Sequence, residues 1–272
     1  MLAFANAKIN LGLFLTEKRA DGYHNLQTVF YPIKINDVVE LVDATHTQCV
    51  IKGMDIPGDV ADNLCLKAFK TLQEDFNLPD QRIVLLKNIP IGAGLGGGSS
   101  DAAFLLKGLN DHFELGLTTG QLKGFAIQLG ADCSFFIENL PAFATGIGEK
   151  LQPIDFSLKG YFLVLVKPPF GVGTKEAYGG IKPSIPLFPL INALQLPAEK
   201  WQDCMVNDFE SSVFPLFPEI ADIKSKLLDL GAVYAAMSGS GSSVFGLFKY
   251  KPNINEDTFP VDYFIWKQWI SE

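Results

Sequence analysis

A run of glycines that ends in two serines, between Pro90 and Ala103, is the stretch of this chain whose residue types and spacing suit chemistry best. It reads PIGAGLGGGSSDAA, and each glycine costs roughly 0.5–1 kcal/mol of folding stability relative to alanine. A helix that begins at Ser99 or Ser100 would point free backbone N–H groups and the positive end of its dipole at an anion. The stretch therefore predicts a phosphate-binding loop, with a purely structural glycine turn as the alternative.

Two familiar nucleotide motifs do not describe this loop. A P-loop has a lysine beside its serine, and Gly98 occupies that position here. The spacing of Gly92, Gly94 and Gly97 satisfies GxGxxG after an apolar strand over 82–86, but a dinucleotide fold needs a second parallel strand after one helix. A second helical pattern follows here instead. We therefore expect backbone amides and hydroxyl groups, without a loop lysine, to bind the anion.

Composition restricts the class of protein. The chain has 272 residues, a formal charge of −8, and apolar runs too short to span a bilayer, and its first residues lack a signal-peptide pattern. These features predict a cytoplasmic globular protein with no basic face for nucleic acid or for an acidic membrane. Cys49, Cys65, Cys133 and Cys204 show no CxxC or Cys/His clustering, so we expect buried free thiols and no metal site built from protein ligands.

The elements that position the glycine loop are predicted as an α+β arrangement, with helices packed on one side of a mixed sheet. Apolar patterns predict strands over 9–15, 38–42, 48–51, 83–86, 131–137, 142–148, 161–166, 232–237 and 243–248. Helices are predicted over 65–72, directly after the glycine loop, over 118–130 and over 220–230, with Gly130 at C′ and Gly231 as a stop.

The predicted domain boundary lies at Gln152–Lys159, which gives domains over 1–154 and 155–272. Lys167–Pro189 is rich in proline and glycine and is predicted as an extended loop over a cleft. A second glycine–serine loop, SGSGSS at Ser238–Ser243, is expected to meet the first one.

Six segments taken in order give the chain a family resemblance. They are AKINLGL (7–13), RADGYHNLQTVF (19–30), the glycine loop, LGADCSFF (129–136), NDFE (207–210) and AAMSGSGSSVFGLF (235–248). Together they resemble the 4-diphosphocytidyl-2-C-methyl-D-erythritol kinases of the GHMP kinase superfamily. The glycine loop and SGSGSS are shared across the superfamily, whereas RADGYH followed by LQT is much narrower.

The resemblance implies an S5-like N-terminal domain and a ferredoxin-like C-terminal domain, with the active site between them. It also implies transfer of the ATP γ-phosphoryl group to the C2 hydroxyl of 4-diphosphocytidyl-2-C-methyl-D-erythritol in mevalonate-independent isoprenoid biosynthesis. Lys8 and Asp132 would be the catalytic pair, in which the ammonium orients the carboxylate and neutralises charge on the phosphoryl oxygens.

The resemblance implies further binding residues. ATP, accompanied by Mg²⁺, would be held by Pro90, Gly92, Ala93, Gly94, Leu95, Gly96, Gly97, Gly98, Ser99, Ser100 and Lys87. The substrate would be held by Asn10, Tyr23, His24, Thr174 and Tyr178, with His24 on the cytosine edge and the two tyrosines against its faces. Asn63 and Ser238–Ser242 are weaker candidates. Asp101 is expected in the first helical turn, where its charge complements the dipole, with a water-mediated contact to the metal as the alternative.

Other functions make different demands on the sequence. A GHMP kinase for mevalonate, homoserine or a sugar would have no use for the cytosine-binding residues Tyr23, His24 and Tyr178. A non-catalytic nucleotide-binding protein on this scaffold would be expected to lack Lys8 or Asp132, and both are present. A nucleic-acid-binding module conflicts with the acidic charge. We therefore expect a small-molecule partner, the cytidine-diphosphate-linked polyol, and a monomer or weak homodimer.

Overall fold

The computed structural model describes residues 1–271 and confirms an α+β chain. Its strands are β1 (Leu2–Lys18), β2 (His24–Asp43), β3 (Gln48–Gly53), β4 (Gln81–Lys87), β5 (Ala142–Thr145), β6 (Lys150–Pro153), β7 (Phe162–Lys167), β8 (Tyr234–Met237), β9 (Val244–Phe248) and β10 (Phe264–Trp269). Its α-helices are α1 (Leu64–Phe76), α2 (Gly97–His112), α3 (Thr119–Leu129), α4 (Cys133–Glu138), α5 (Thr174–Tyr178), α6 (Leu190–Ala193), α7 (Glu210–Val213) and α8 (Pro218–Asp229). Short 3₁₀ helices span Val60–Asp62 and Ala198–Asp203.

The chain divides into two compact units, each built from separate stretches of sequence. The first unit contains Met1–Lys8, Pro32–Ile91 and Gly96–Leu140, and the second contains Ile9–Tyr31, Gly92–Leu95 and the chain from Pro141 onward. Strands β1 and β2 contribute residues to both units. The domain boundary near residues 152–159 stays a prediction.

In the first unit, β4 pairs antiparallel with the end of β2 and parallel with β3. The side chains of β4 alternate: Ile83 and Leu85 are buried while Arg82 and Leu86 are exposed, as expected for a strand with one face on the core. Helix α1 packs its buried residues on this core and is capped at its N-terminus by Asn63, whose side chain accepts a hydrogen bond from the Cys65 N–H.

Two predictions in the first unit are wrong. Helix α2 starts at Gly97, not at Ser99 or Ser100, because Gly97 packs against Ile89 and this tertiary contact outweighs the low helix propensity of glycine. The segment predicted as a strand over 131–137 is helix α4. It is short and almost entirely buried, and in such a run apolar periodicity cannot separate a strand from a helix.

Helix α3 was predicted from its capping residues, and the structure confirms it. The Thr118 side chain accepts from the Gln121 N–H, and the Gln121 side chain accepts from the Thr118 N–H. Gly130 closes the helix in an extended conformation (φ 171°), not in the left-handed one that the C′ prediction implied.

In the second unit, β10, β7, β9 and β8 form an antiparallel sheet in that order, and the start of β2 pairs with β5, which pairs with β6. Helix α8 packs on the four-stranded sheet through Ile220, Ile223 and Leu227, and Gly231 (φ 93°) follows its end, as predicted. Strand β10 was missed: it lies at the sheet edge, where its side chains are half-buried or exposed and give no clear apolar pattern.

Other elements of the second unit differ in extent from their predictions. Strand β5 stops three residues before the predicted end, where Gly146 and Gly148 have positive φ angles. The segment predicted as an extended loop over 167–189 contains helix α5.

All four cysteines of the chain are free, as predicted, although only Cys65 and Cys133 are buried and Cys49 and Cys204 are half-buried.

Candidate active site

Lys8 and Asp132 meet in the first unit, on β1 and just ahead of α4. The Lys8 Nζ lies 3.4 Å from the Asp132 Oδ2. The lysine side chain is 5% exposed and the aspartate side chain is 32% exposed, so the carboxylate is the open member of the pair. A buried ammonium group needs a partner of opposite charge, and Asp132 supplies one while keeping an oxygen accessible to a ligand.

The turn at Gly96 packs against the Lys8 side chain. Gly96 has φ 70°, and a Cβ built there would lie 3.0 Å from the Phe136 ring and 3.3 Å from the Lys8 Cε. Only glycine accommodates both the left-handed conformation and this approach. Helix α2 therefore begins beside the lysine. Its first N–H groups, at Gly97 and the next two residues, have no partner within the helix and are available to an anion.

The two glycine–serine loops meet within the second unit, as predicted. The Ser238 hydroxyl donates to the Gly94 carbonyl at 2.9 Å, and the Ser243 N–H donates to the Ala93 carbonyl at 3.3 Å. A Cβ on Gly94 would lie 1.9 Å from the Ser238 carbonyl oxygen, and Gly94 has φ 72°. The second loop therefore shapes the backbone of residues 92–95 by direct contact.

Asn10 is almost fully buried in the second unit. Its Nδ2 donates to the Thr28 Oγ1 at 2.9 Å, and its backbone N–H donates to the Ser238 Oγ at 3.3 Å. The structure thus places Asn10 beside the second glycine–serine loop, with its amide already engaged. Its contact with substrate stays a prediction.

Lys87 lies in a buried cluster with Asp37 and Asp101. Its ammonium contacts the Asp37 Oδ2 and lies 2.7 Å from the Asp101 Oδ2, while the Asp37 Oδ1 accepts from the N–H groups of Asn88 and Ile89. Burial alone would lower the pKa of Lys87, but the charges of Asp101 and Asp37 outweigh it and raise that pKa. The cluster ties the end of β4 to α2, and the Lys87 ammonium contacts the carboxyl groups of both aspartates. A nucleotide contact for Lys87 stays a prediction.

The expectation for Asp101 is wrong. The residue follows the first turn of α2, and its carboxyl group is buried 2.7 Å from the Lys87 ammonium, so it is not placed to complement the helix dipole. Burial raises the pKa of Asp101 to about 8 against the opposing effect of the lysine charge. Asn63, a weaker nucleotide candidate, is the N-cap residue of α1.

Two of the three residues predicted to bind cytosine are in contact in the second unit. The rings of His24, at the start of β2, and Tyr178, at the end of α5, have centroids 5.0 Å apart and planes 31° apart. Tyr23 is 62% exposed in the preceding turn, where its N–H donates to the Asp21 carboxylate at 3.1 Å. Thr174 starts α5. The structure thus brings His24 and Tyr178 into contact and leaves the Tyr23 ring accessible.

Two buried polar residues were missed as parts of the site's support. Asp37 lies on the buried face of β2, in phase with the apolar residues Ile35, Val39 and Leu41, and a carboxylate at that position was an available signal. Asn207 belongs to the NDFE segment that carried the resemblance, yet no role was predicted for it. Its Nδ2 donates to the carbonyls of Met237 and Gly239 at 2.7 and 2.8 Å.

Across residues 1–271, no group of three or more His, Cys, Asp or Glu side chains is arranged to hold a metal ion. In the same residues, no helix combines the length and hydropathy needed to cross a membrane.

Known proteins resemble this chain along nearly its whole length. The family models described as GHMP kinases N terminal domain and GHMP kinases C terminal match residues 63–146 and 189–257. The 4-diphosphocytidyl-2-C-methyl-D-erythritol kinase of Bacteroides fragilis is 52% identical over 263 residues, which are 95% of this chain and 96% of the relative. The enzyme of the same name from Bacteroides thetaiotaomicron is 49% identical over 271 residues, covering 98% and 99% of the two chains.

Solved structures of GHMP-type kinases also superpose on this chain. A crystal structure of 4-(cytidine 5'-diphospho)-2C-methyl-D-erythritol kinase superposes with a TM-score of 0.79 at 35% identity, covering 91% of this chain and 90% of the other. The homoserine kinase from Cytophaga hutchinsonii superposes with a TM-score of 0.69 at 16% identity, covering 98% and 95%, which shows a shared fold alone.

Proposed function

The chain belongs to the 4-diphosphocytidyl-2-C-methyl-D-erythritol kinases of the GHMP kinase superfamily, and from this membership we propose which of its residues carry out the reaction. It is an ATP-dependent small-molecule kinase that phosphorylates the C2 hydroxyl of 4-diphosphocytidyl-2-C-methyl-D-erythritol in isoprenoid precursor biosynthesis. The observation that supports the assignment of residues is the Lys8–Asp132 pair beside the start of α2.

Asp132 aligns the C2 hydroxyl and accepts its proton. A carboxylate is a far weaker base than an alkoxide, so it cannot deprotonate a free alcohol in advance. In a loose phosphoryl-transfer transition state the alcohol becomes acidic only as the new O–P bond forms, so late acceptance of the proton is sufficient. Lys8 holds the carboxylate in place and neutralises the charge that develops on the phosphoryl oxygens.

The amides at the start of α2 bind the phosphate groups of ATP. The N–H groups of Gly97, Gly98 and Ser99 face out of a 16-residue helix, whose dipole adds positive potential at that end. The turn at Gly96 sets these amides next to Lys8 within the first unit. The same contact explains why a glycine is required there.

Mg²⁺ fits the donor groups that this chain offers. The Ser100 hydroxyl is buried and has no hydrogen-bond partner among residues 1–271, so it is free to act as an oxygen ligand. An ion held mainly by phosphate oxygens and water does not need a cluster of carboxylates. When bound, Mg²⁺ would screen the charge of the transferring phosphate.

The aromatic residues of the second unit select the cytidine end. His24 hydrogen-bonds the base edge, and Tyr178 and Tyr23 offer ring faces for stacking, which contributes roughly 1–3 kcal/mol per base. That free energy favours a cytidylated polyol over a bare polyol by one to two orders of magnitude. A monomeric or weakly dimeric state and a cytoplasmic location stay predictions.

The test is a panel of acceptors with Mg-ATP: the cytidylated methylerythritol, mevalonate and homoserine, with ³¹P NMR locating the new phosphate. Phosphate on C2 of the cytidylated substrate is expected, and phosphate only on mevalonate or homoserine would overturn the assignment. His24→Ala should raise the KM for the cytidylated substrate. The matched control, His46→Ala, removes an exposed histidine of the first unit and should leave that KM unchanged.

A further inference from the structure

We infer that the segment Asn207–Ser212 positions both ligand-binding features of the second unit. One branch, through Asn207, fixes the glycine–serine loop Ser238–Ser243 that shapes the ATP loop. The other branch, through Phe209 and Ser212, fixes the ring of Tyr178 that stacks on cytosine. The inference rests on the proposed function, because it assigns no new ligand and explains how these two features are held.

The Asn207 branch consists of a buried side-chain amide whose nitrogen and oxygen are both hydrogen-bonded. Asn207 is 3% exposed. Its Nδ2 donates to the carbonyls of Met237 (2.7 Å) and Gly239 (2.8 Å), and its Oδ1 accepts from the Phe209 N–H at 3.0 Å. The two carbonyls flank Ser238, so the side chain of Asn207 sets the backbone on both sides of that serine.

The contact of Ser238 with Gly94 couples the position of the Ser238–Ser243 loop to that of the ATP loop. The Ser238 hydroxyl donates to the Gly94 carbonyl at 2.9 Å, and the Ser238 carbonyl oxygen leaves no room for a side chain on Gly94. Glu210 supports the same end, because its Oε1 accepts from the Met237 N–H at 2.8 Å while its Oε2 lies 2.5 Å from the Lys224 ammonium. A shift of Met237 or Gly239 therefore displaces residues 92–95.

The Phe209 branch holds the short helix α5. The Phe209 ring meets the Tyr178 ring edge-on, with centroids 4.8 Å apart, and is 3% exposed. The Ser212 hydroxyl donates to the carbonyl of Ala177, the residue before Tyr178. A helix of only five residues has little stability of its own, so these contacts decide where the Tyr178 ring lies.

Substitutions can separate the two branches. Asn207→Asp keeps the side-chain size but turns an N–H donor into an oxygen that faces two carbonyls. Asn207→Ser keeps a single hydroxyl donor. Phe209→Leu keeps apolar bulk but removes the ring edge under Tyr178. Ser211→Ala is the matched control in the same segment, because Ser211 is exposed and its hydroxyl bonds only the nearby Asp208 carbonyl.

The experiment measures kcat and the KM for each substrate with the full-length protein, together with its melting temperature. Asn207→Asp should lower kcat/KM for ATP on the order of 10- to 100-fold, with the KM for the cytidylated substrate within about twofold of wild type. Phe209→Leu should raise the KM for the cytidylated substrate about three- to tenfold and leave the KM for ATP unchanged. Asn207→Ser should lower kcat/KM for ATP by a smaller factor. It replaces Asn207→Asp in the experiment if that variant does not fold.

Loss of structure alone would change both KM values together or only the active fraction. If the Asn207 and Phe209 variants affect both substrates equally, or neither, the inference is overturned. Asp132→Asn and His24→Ala, measured in parallel, test the proposed function separately. Those two variants can behave as proposed while the Asn207 and Phe209 variants do not affect the two substrates differently. In that case the function stands and the positioning role fails. Wild-type turnover by Asp132→Asn, with the wild-type KM for the cytidylated substrate in His24→Ala, would instead refute the proposed function.

Discussion

Replacing Gly96 by alanine tests whether the turn before α2 sets the position of the catalytic lysine. Gly96 has φ 70°, and an alanine in this left-handed conformation costs about 1–2 kcal/mol of folding free energy. Its Cβ would also lie 3.0 Å from the Phe136 ring and 3.3 Å from the Lys8 Cε. Both side chains would then have to retreat.

The size of that retreat follows from ordinary carbon–carbon contacts of about 3.5–4.0 Å. The Lys8 Cε would have to move by a few tenths of an ångström, while its ammonium lies 3.4 Å from the Asp132 carboxylate. Since a misplacement of about 1 Å costs on the order of 100-fold in rate, we expect kcat to fall about three- to tenfold.

Gly58→Ala is the matched control. Gly58 also has a positive φ (102°), but a Cβ there meets nothing within 4 Å. Urea unfolding should show a loss of about 1–2 kcal/mol in Gly58→Ala, from the backbone conformation alone. Gly96→Ala should lose at least as much, because its Cβ is also crowded. Steady-state kinetics at saturating substrates should show lower kcat only for Gly96→Ala. Unchanged kcat in a folded Gly96→Ala protein would refute the link between this turn and Lys8.

Three further predictions follow from the site and its surroundings. Tyr178→Ala should raise the KM for the cytidylated substrate by one to two orders of magnitude in steady-state assays, with the KM for ATP unchanged. Burial raises the pKa of Asp101 to about 8, above its unfolded value of about 3.9, so the proton bound on folding stabilises the native state at low pH. That contribution is lost as the pH rises to about 8. Urea titrations from pH 4 to 9 should therefore show wild type losing stability relative to Asp101→Asn, and parallel curves would contradict this. Burial raises the pKa of the Cys49 and Cys133 thiols to about 11, so Ellman's reagent at pH 8 should label them far more slowly in native protein than in guanidinium.

Local signals in the sequence were sufficient to predict a helix where the helix carries its own start and stop residues. Helix α3 has the Thr118–Gln121 capping box, and α8 has an apolar stripe that ends near Gly231. Helix α4 has no such signal: its apolar residues are buried by neighbouring elements, and its helical state depends on that packing. The start of α2 at Gly97 likewise depends on contact with Ile89, which precedes it by eight residues.

The candidate site was predictable through motifs and not through local chemistry. Lys8 and Asp132 were paired by resemblance, and the structure places their charged atoms 3.4 Å apart. The buried Lys87 cluster was not predicted, because Asp37 precedes the lysine by 50 residues and no periodic pattern connects them. Asn207 was missed for the same reason, since the loop that it holds lies about 30 residues later.

The most direct test of the central claim is the rate of phosphoryl transfer by Asp132→Asn, measured by rapid quench with saturating Mg-ATP and cytidylated methylerythritol. The variant keeps the size of the side chain but removes the proton acceptor and the charge that holds Lys8. We predict a fall in rate of about 10²–10⁴-fold, with little change in either KM. The control Asp257→Asn, at an exposed aspartate, should react like wild type. Near-normal turnover by Asp132→Asn would contradict both roles assigned to the carboxylate.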